Sequence, residues 1–229
     1  MTTVASTPDM SERRYRDSSD KTLADYPRPS VAVDTAVLTL DEQQGLVVLQ
    51  VRRPNADGWA LPGTFLHEGE TLAMAVARSL QVKANVEGLL PRQLHVFDAL
   101  DRDPRGWVLS VAHVDVVQPA RLEERFAAST RLMPVRAPGR LPFDHPEIVR
   151  RAVEYLQSRY ADRPDPDRLL GEEFTILQLR RAHEQIAGRP LQRDWFRRTM
   201  EPQLEPTGQL ASGARGRPAE LFHRREPGS

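Results

Sequence analysis

Two groups of residues in this 229-residue sequence have the types and spacing to do chemistry. The first centres on residues 61–83, where Pro62-Gly63 makes a tight turn, Glu68-Gly69-Glu70 an acidic one, and an apolar-striped helix starts near Thr71. Glu70 sits just before that helix and Arg78 about two turns into it. Arg52 and Arg53 end a strand, and Arg102 and Arg105 share a turn. Guanidinium groups converging from such places can grip a pyrophosphate through paired hydrogen bonds. The second group is basic. Between residues 175 and 225 the cations are ten arginines (180, 181, 189, 193, 197, 198, 215, 217, 224 and 225) against five carboxylates. Each arginine has an ordinary alternative as a solvated surface charge, so the elements that place it decide its use.

Composition sets the bounds. A hydrophobic share of 39% is ordinary for a folded soluble chain, and the length allows one large domain or two modest ones. The formal net charge of zero hides the basic C-terminal segment. Without cysteine there is no disulfide or thiolate chemistry, which fits a cytoplasmic protein. No apolar run reaches the roughly 18 residues of a membrane span, and residues 1–25 are too polar for a secretory signal. They read as a disordered arm.

The elements follow from pattern. Residues 30–40 read as a strand covered on both faces, residues 41–45 as a turn and residues 46–51 as the returning strand. The helix after Thr71 is expected to bury Leu72, Ala73, Val76, Ala77 and Leu80. Residues 94–100 and 107–117 flank the 101–106 turn as a second hairpin, with His113 a core histidine rather than a metal ligand. Residues 146–160 form a helix whose Asp144 and Glu147 have capping-box spacing, and residues 162–167 make a polar, proline-punctuated linker. Beyond it, Thr175 and Gln178 again have capping-box spacing, and Gly188 ends their helix. A second helix over 192–200 turns Trp195, Phe196 and Thr199 inward and leaves Arg193, Arg197 and Arg198 outward. Two short extended pieces then enclose the glycine-rich 208–217 loop with Arg215, Gly216 and Arg217. This is the outline of a winged helix-turn-helix.

The box resembles the Nudix motif: a glycine, five residues, a glutamate, seven residues, then Arg-Glu-aliphatic-x-Glu-Glu-x-Gly. Glu70 and Arg78 fall on its first glutamate and its arginine. Its three later carboxylates, which i,i+3 and i,i+4 spacing would gather around Mg²⁺, are here Ser79, Val82 and Lys83, and its glycines are Thr64 and Asn85. A hydroxyl, an isopropyl group and a cation cannot replace three carboxylates. No metal, cofactor or catalytic residue is therefore expected, and hydrolysis should be lost.

Taken with Tyr26-Pro27-Arg28-Pro29, Arg102-Asp103-Pro104-Arg105-Gly106, Phe143-Asp144-His145-Pro146-Glu147-Ile148, Gly188-Arg189-Pro190-Leu191, Leu204-Glu205-Pro206-Thr207-Gly208 and Arg215-Gly216-Arg217-Pro218-Ala219, the chain resembles the NrtR family of Nudix-related transcriptional regulators. The resemblance implies an α/β chain: a Nudix-like mixed-sheet α/β/α sandwich over residues 26–161, a linker over 162–170 and a winged helix over 171–229. It implies a homodimer that binds double-stranded operator DNA, probing it with Thr175, Gln178 and the arginines of the second helix and wing. The first domain would sense an ADP-ribose-like nucleotide through Arg52, Arg53, Glu70, Arg78, Arg102 and Arg105. The competing expectations are a Nudix-type hydrolase of nucleoside diphosphate derivatives with an atypical metal site, and a nonenzymatic scaffold of two interaction domains.

Overall fold

The computed structural model describes residues 16–54, 57–211 and 218–225. Strand β1 (Ser30–Asp41) is flanked by sheet on both sides. It turns at Asp41, whose carboxylate accepts the Gln43 and Gln44 N–H groups at 2.9 and 2.8 Å, and returns as antiparallel β2 (Gly45–Arg52). Gly45 takes φ +78°, which glycine reaches without a Cβ clash. Short β3 (Trp59–Ala60) and β4 (Gly63–Phe65) pair with β2 and β1 respectively, and α1 (Leu72–Ala84) follows. The hairpin of β5 (Arg92–Phe97) and β6 (Val108–Val116) joins the other side of β1, with β6 running parallel to it. β7 (Thr130–Pro134) closes the seven-stranded mixed sheet against β2.

The alternation in β1 explains the layers. Val33 and Val37 pack with Leu49, Val76 and Leu80 under α1. Ala36 and Leu38 pack with Val114, Ile148, Val149 and Leu156 under α2 (His145–Arg159). This is the α/β/α sandwich expected of the sequence.

The buried face of α1 differs from the expected one. Ala75, Val76, Ser79, Leu80 and Ala84 are inward, while Ala73 and Ala77 are exposed. Small side chains at 75, 79 and 84 let the helix lie close on the sheet. The capping box at α2 does not form either: Asp144 makes no cap bond, because its carboxylate is taken by Arg102.

The C-terminal part is built on β8 (Phe174–Thr175), α3 (Ile176–Ala187), α4 (Arg193–Met200), β9 (Leu204–Leu210) and β10 (Glu220–Arg224), with sheet order β8-β10-β9. Phe174, Leu179, Phe196, Met200, Leu204 and Phe222 form its core. Trp195 is not inward but 46% exposed, because Phe196 and Met200, one turn apart, take the buried stripe of α4.

The polar 162–167 segment is anchored by one buried residue. Asp165 is fully buried and accepts hydrogen bonds from Tyr160 Oη at 2.7 Å, Leu169 N at 2.7 Å, Leu170 N at 2.9 Å and the Arg224 guanidinium. Tyr160, Leu169 and Ile186 share the core under α2, so the two parts pack against one another.

Candidate functional site

Asp34, midway along β1, is the buried centre of the first part. β4 lies directly against it: a Cβ on Gly63 would come 2.0 Å from Asp34 Oδ1 and 2.9 Å from the Val33 carbonyl oxygen, so the pairing requires glycine. Ser110 on β6 donates to Asp34 Oδ2 at 2.6 Å. His145 at the start of α2 accepts the Leu61 N–H on Nδ1 at 3.0 Å. Its ring proton therefore sits on Nε2, 3.2 Å from Asp34 Oδ1. Arg102 reaches within 3.8 Å of Asp34 and donates to Asp144 at 2.6 Å. Burial works against the Asp34 charge, but the bonds from His145 and Ser110 and the Arg102 guanidinium outweigh it and hold the carboxyl below its ordinary range.

A cavity of about 490 Å³ opens over this network, bordered by Arg53, Phe65, Lys83, Arg105 and Phe143. Through Arg53 and Phe143 it adjoins a lobe of about 630 Å³ that includes Trp59 and Arg140. Arg105 pairs with Asp103 at 2.6 and 2.9 Å and lies over the Phe65 and Phe143 rings, 5.1 and 5.3 Å from their centroids. Phe143 adopts φ +52°, a conformation disfavoured for a side chain of its size. Lys83 reaches back from α1 to donate to the Gly63 carbonyl. Arg53 makes no ion pair among the described residues. The combination of basic groups, two phenylalanines and an indole suits an anionic, ring-bearing ligand.

The anticipated ligand residues divide. Arg53, Arg102 and Arg105 line the cavity, and Arg52 does not. Glu70 and Arg78 bind each other at 2.8 Å through both carboxylate oxygens, and Arg78 also holds Thr64 Oγ1 and the Phe65 carbonyl. Together with Thr71, which caps α1, they fix the 63–71 loop rather than facing the cavity. The Arg78 hydrogen bond lowers the Glu70 pKa to about 2. Asp34, Ser110, His145, Lys83 and Phe143 were not singled out in the sequence as site residues.

A Nudix fold also implies a divalent metal, and the residues present do not fit one. Ser79 is buried with a hydroxyl that makes no hydrogen bond, Val82 is 69% exposed, and Lys83 brings a cation. Among the described residues no group of three or more potential ligands is placed to hold a metal.

In the second part, the capping box at α3 is formed. Thr175 Oγ1 accepts the Gln178 N–H at 3.2 Å and Gln178 Oε1 accepts the Thr175 N–H at 2.8 Å, so both side chains are engaged. Arg193, Arg197 and Arg198 are exposed on α4. Arg197 is tied to Glu201 at 2.7 and 2.8 Å, and among the described residues Arg198 donates only to the Asp194 carbonyl at 3.3 Å. Arg193 makes no hydrogen bond or ion pair among the described residues. Arg215, Gly216 and Arg217 lie outside the described residues.

Fold and site thus define a Nudix domain whose metal cluster is replaced, joined to a winged helix. The family profile "NUDIX domain" matches residues 30–156, and "NrtR DNA-binding winged helix domain" matches residues 167–223. The chain belongs to the NrtR family of Nudix-related transcriptional regulators. It is 29% identical over 210 residues to the ADPR responsive transcriptional repressor NtrR of Acinetobacter baylyi, spanning 87% of this chain and 83% of the relative. The crystal structure of Shewanella oneidensis NrtR complexed with a 27mer DNA superposes with TM-score 0.71 at 32% identity, covering 85% of this chain and 93% of that one. The NUDIX domain of the same Shewanella protein complexed with ADP ribose matches with TM-score 0.52 at 28% identity, over 60% of this chain and 95% of that one.

Proposed function

We propose that this protein is a transcriptional repressor that binds a pseudo-palindromic operator as a homodimer and responds to an ADP-ribose-like nucleotide, which it binds without cleaving. The observation that carries this reading is the pairing, in one chain, of a basic and aromatic cavity lacking the Nudix carboxylates with an α4 whose exposed face bears arginines. The lobe with Trp59 and Phe143 suits a base or ribose, and the lobe with Arg53, Lys83, Arg102 and Arg105 a pyrophosphate. Residues 26–161 serve as the sensor and residues 171–229 as the DNA-binding domain, with Arg193 and Arg198 toward the major groove and Arg215 and Arg217 toward phosphates. The Acinetobacter and Shewanella relatives, by the names and ligands they carry, support the same assignment.

The test has two arms. Selection from a random duplex library with the full chain should yield a two-fold symmetric sequence. ADP-ribose incubated with the protein and Mg²⁺ or Mn²⁺ should yield no AMP. Metal-dependent AMP release that disappears in Glu70→Gln would establish a hydrolase instead.

A further inference from the structure

We propose that the Lys83 ammonium takes the place of the divalent cation in the Asp34 pocket, so that the pyrophosphate of the effector is held by a fixed charge of the chain and without metal. The inference rests on the nucleotide-sensing reading above and adds to it the means of charge neutralisation.

Three observations carry it. The first is position. Lys83 is one of the three places where the Nudix helix bears a carboxylate, and of those three it alone turns into the cavity; Ser79 is buried in the core and Val82 faces solvent. A carboxylate there would hold an ion beyond its own oxygens, whereas a lysine side chain ends in the positive charge itself.

The second is charge. Arg102 is matched by Asp144 and Asp34, and Arg105 by Asp103. The one hydrogen-bond acceptor of Lys83 is the neutral Gly63 carbonyl, and no carboxylate lies within ion-pair distance of it among the described residues. An ammonium has three donors, so two remain for phosphate oxygens. A divalent ion brought close to this charge would be repelled.

The third is electrostatic cost. Burial pushes the Lys83 pKa down, with Asp34 opposing that effect and Arg78 adding to it. An anionic ligand beside the ammonium would relieve this cost.

Calorimetric titration of ADP-ribose into the full chain, in EDTA and in Mg²⁺, tests the proposal. The wild-type affinity should be the same within about twofold in both buffers. Lys83→Met should weaken binding about 10- to 100-fold in both, equivalent to about 1.4 to 2.7 kcal/mol, and Lys83→Arg should restore most of it. If Lys83→Met loses its cooperative thermal transition, Lys83→Gln, which keeps a donor for the Gly63 carbonyl, should show the same loss of affinity. Wild-type binding that requires Mg²⁺, or neutral variants that bind as tightly as wild type, would overturn the proposal while leaving nucleotide sensing intact. If ADP-ribose does not bind the wild type in either buffer, the sensing reading fails and this inference with it.

Discussion

At the scale of single residues, the pocket depends on a few close approaches and shared charges. Gly63→Ala must displace either β4 or Asp34, since the new methyl would sit 2.0 Å from the carboxylate. It should cost about 1–3 kcal/mol in urea unfolding, typical of overpacking, and weaken nucleotide binding as well. Glu70 gives a pH prediction. Its pKa in the folded chain is lowered to about 2, chiefly by the Arg78 hydrogen bond, from an ordinary 4.5. The stability it adds is therefore present above pH 4.5 and lost as pH falls toward 2. Glu70→Gln should flatten stability against pH across that window, and an unchanged slope would mean that the pair does not hold the loop. The motif and its eight-residue spacing made Glu70 and Arg78 legible as a pair but not their use, since they bind each other instead of lining the cavity. Asp34, Ser110 and His145 were not, because they stand on three elements far apart in sequence and each looks like an ordinary polar residue until the parallel β1–β6 register sets Asp34 beside Ser110.

At the scale of elements, four strands of the first sheet and the helices α1 to α4 were readable because alternation and capping signals are local, whereas β3 and β4, of two and three residues, and the five-residue β7 were not. What escaped was the use to which a residue is put by a neighbour. Asp144 has the spacing of a cap but serves Arg102, and Trp195 has an apolar side chain but lies one position off the Phe196–Met200 stripe. The same consideration ranks the arginines of α4. Arg197 is already paired with Glu201, whereas Arg193 and Arg198 have no carboxylate partner among the described residues. Arg193→Ala and Arg198→Ala should each weaken duplex binding and lower the slope of log affinity against log salt by about one unit where they contact phosphate, with Arg197→Ala having less effect. Anisotropy titrations at several salt concentrations would read this directly, and equal effects at all three positions would contradict the ranking.

For the whole molecule, the two parts meet at a packed junction through which any ligand signal between them has to pass. His183 of α3 lies between the Tyr160 and Phe196 rings, 5.0 Å from each centroid, linking the end of α2 to α4. Beside it Asp165 joins Tyr160 to Arg224 of β10. The Arg136 guanidinium, from the end of the sensor sheet, packs so closely on Gly188 that a Cβ there would come 2.2 Å from it. Burial lowers the His183 pKa to about 4, against the opposing Asp165 charge, so the unfolded chain takes up a proton between pH 6.5 and 4 that the folded chain refuses. Stability should therefore be full above pH 6.5 and fall by about 2 kcal/mol between pH 7 and 5, a loss that His183→Gln should remove. Through such a junction an effector can act only if it binds one arrangement of the winged helices more tightly than the other. The most direct test is one linkage measurement: operator affinity, for a duplex selected by the full chain, with and without saturating ADP-ribose, and ADP-ribose affinity with and without that duplex. Each ligand should change the affinity of the other by one common factor, about 5- to 150-fold. Two affinities that are unchanged by the second ligand would contradict it.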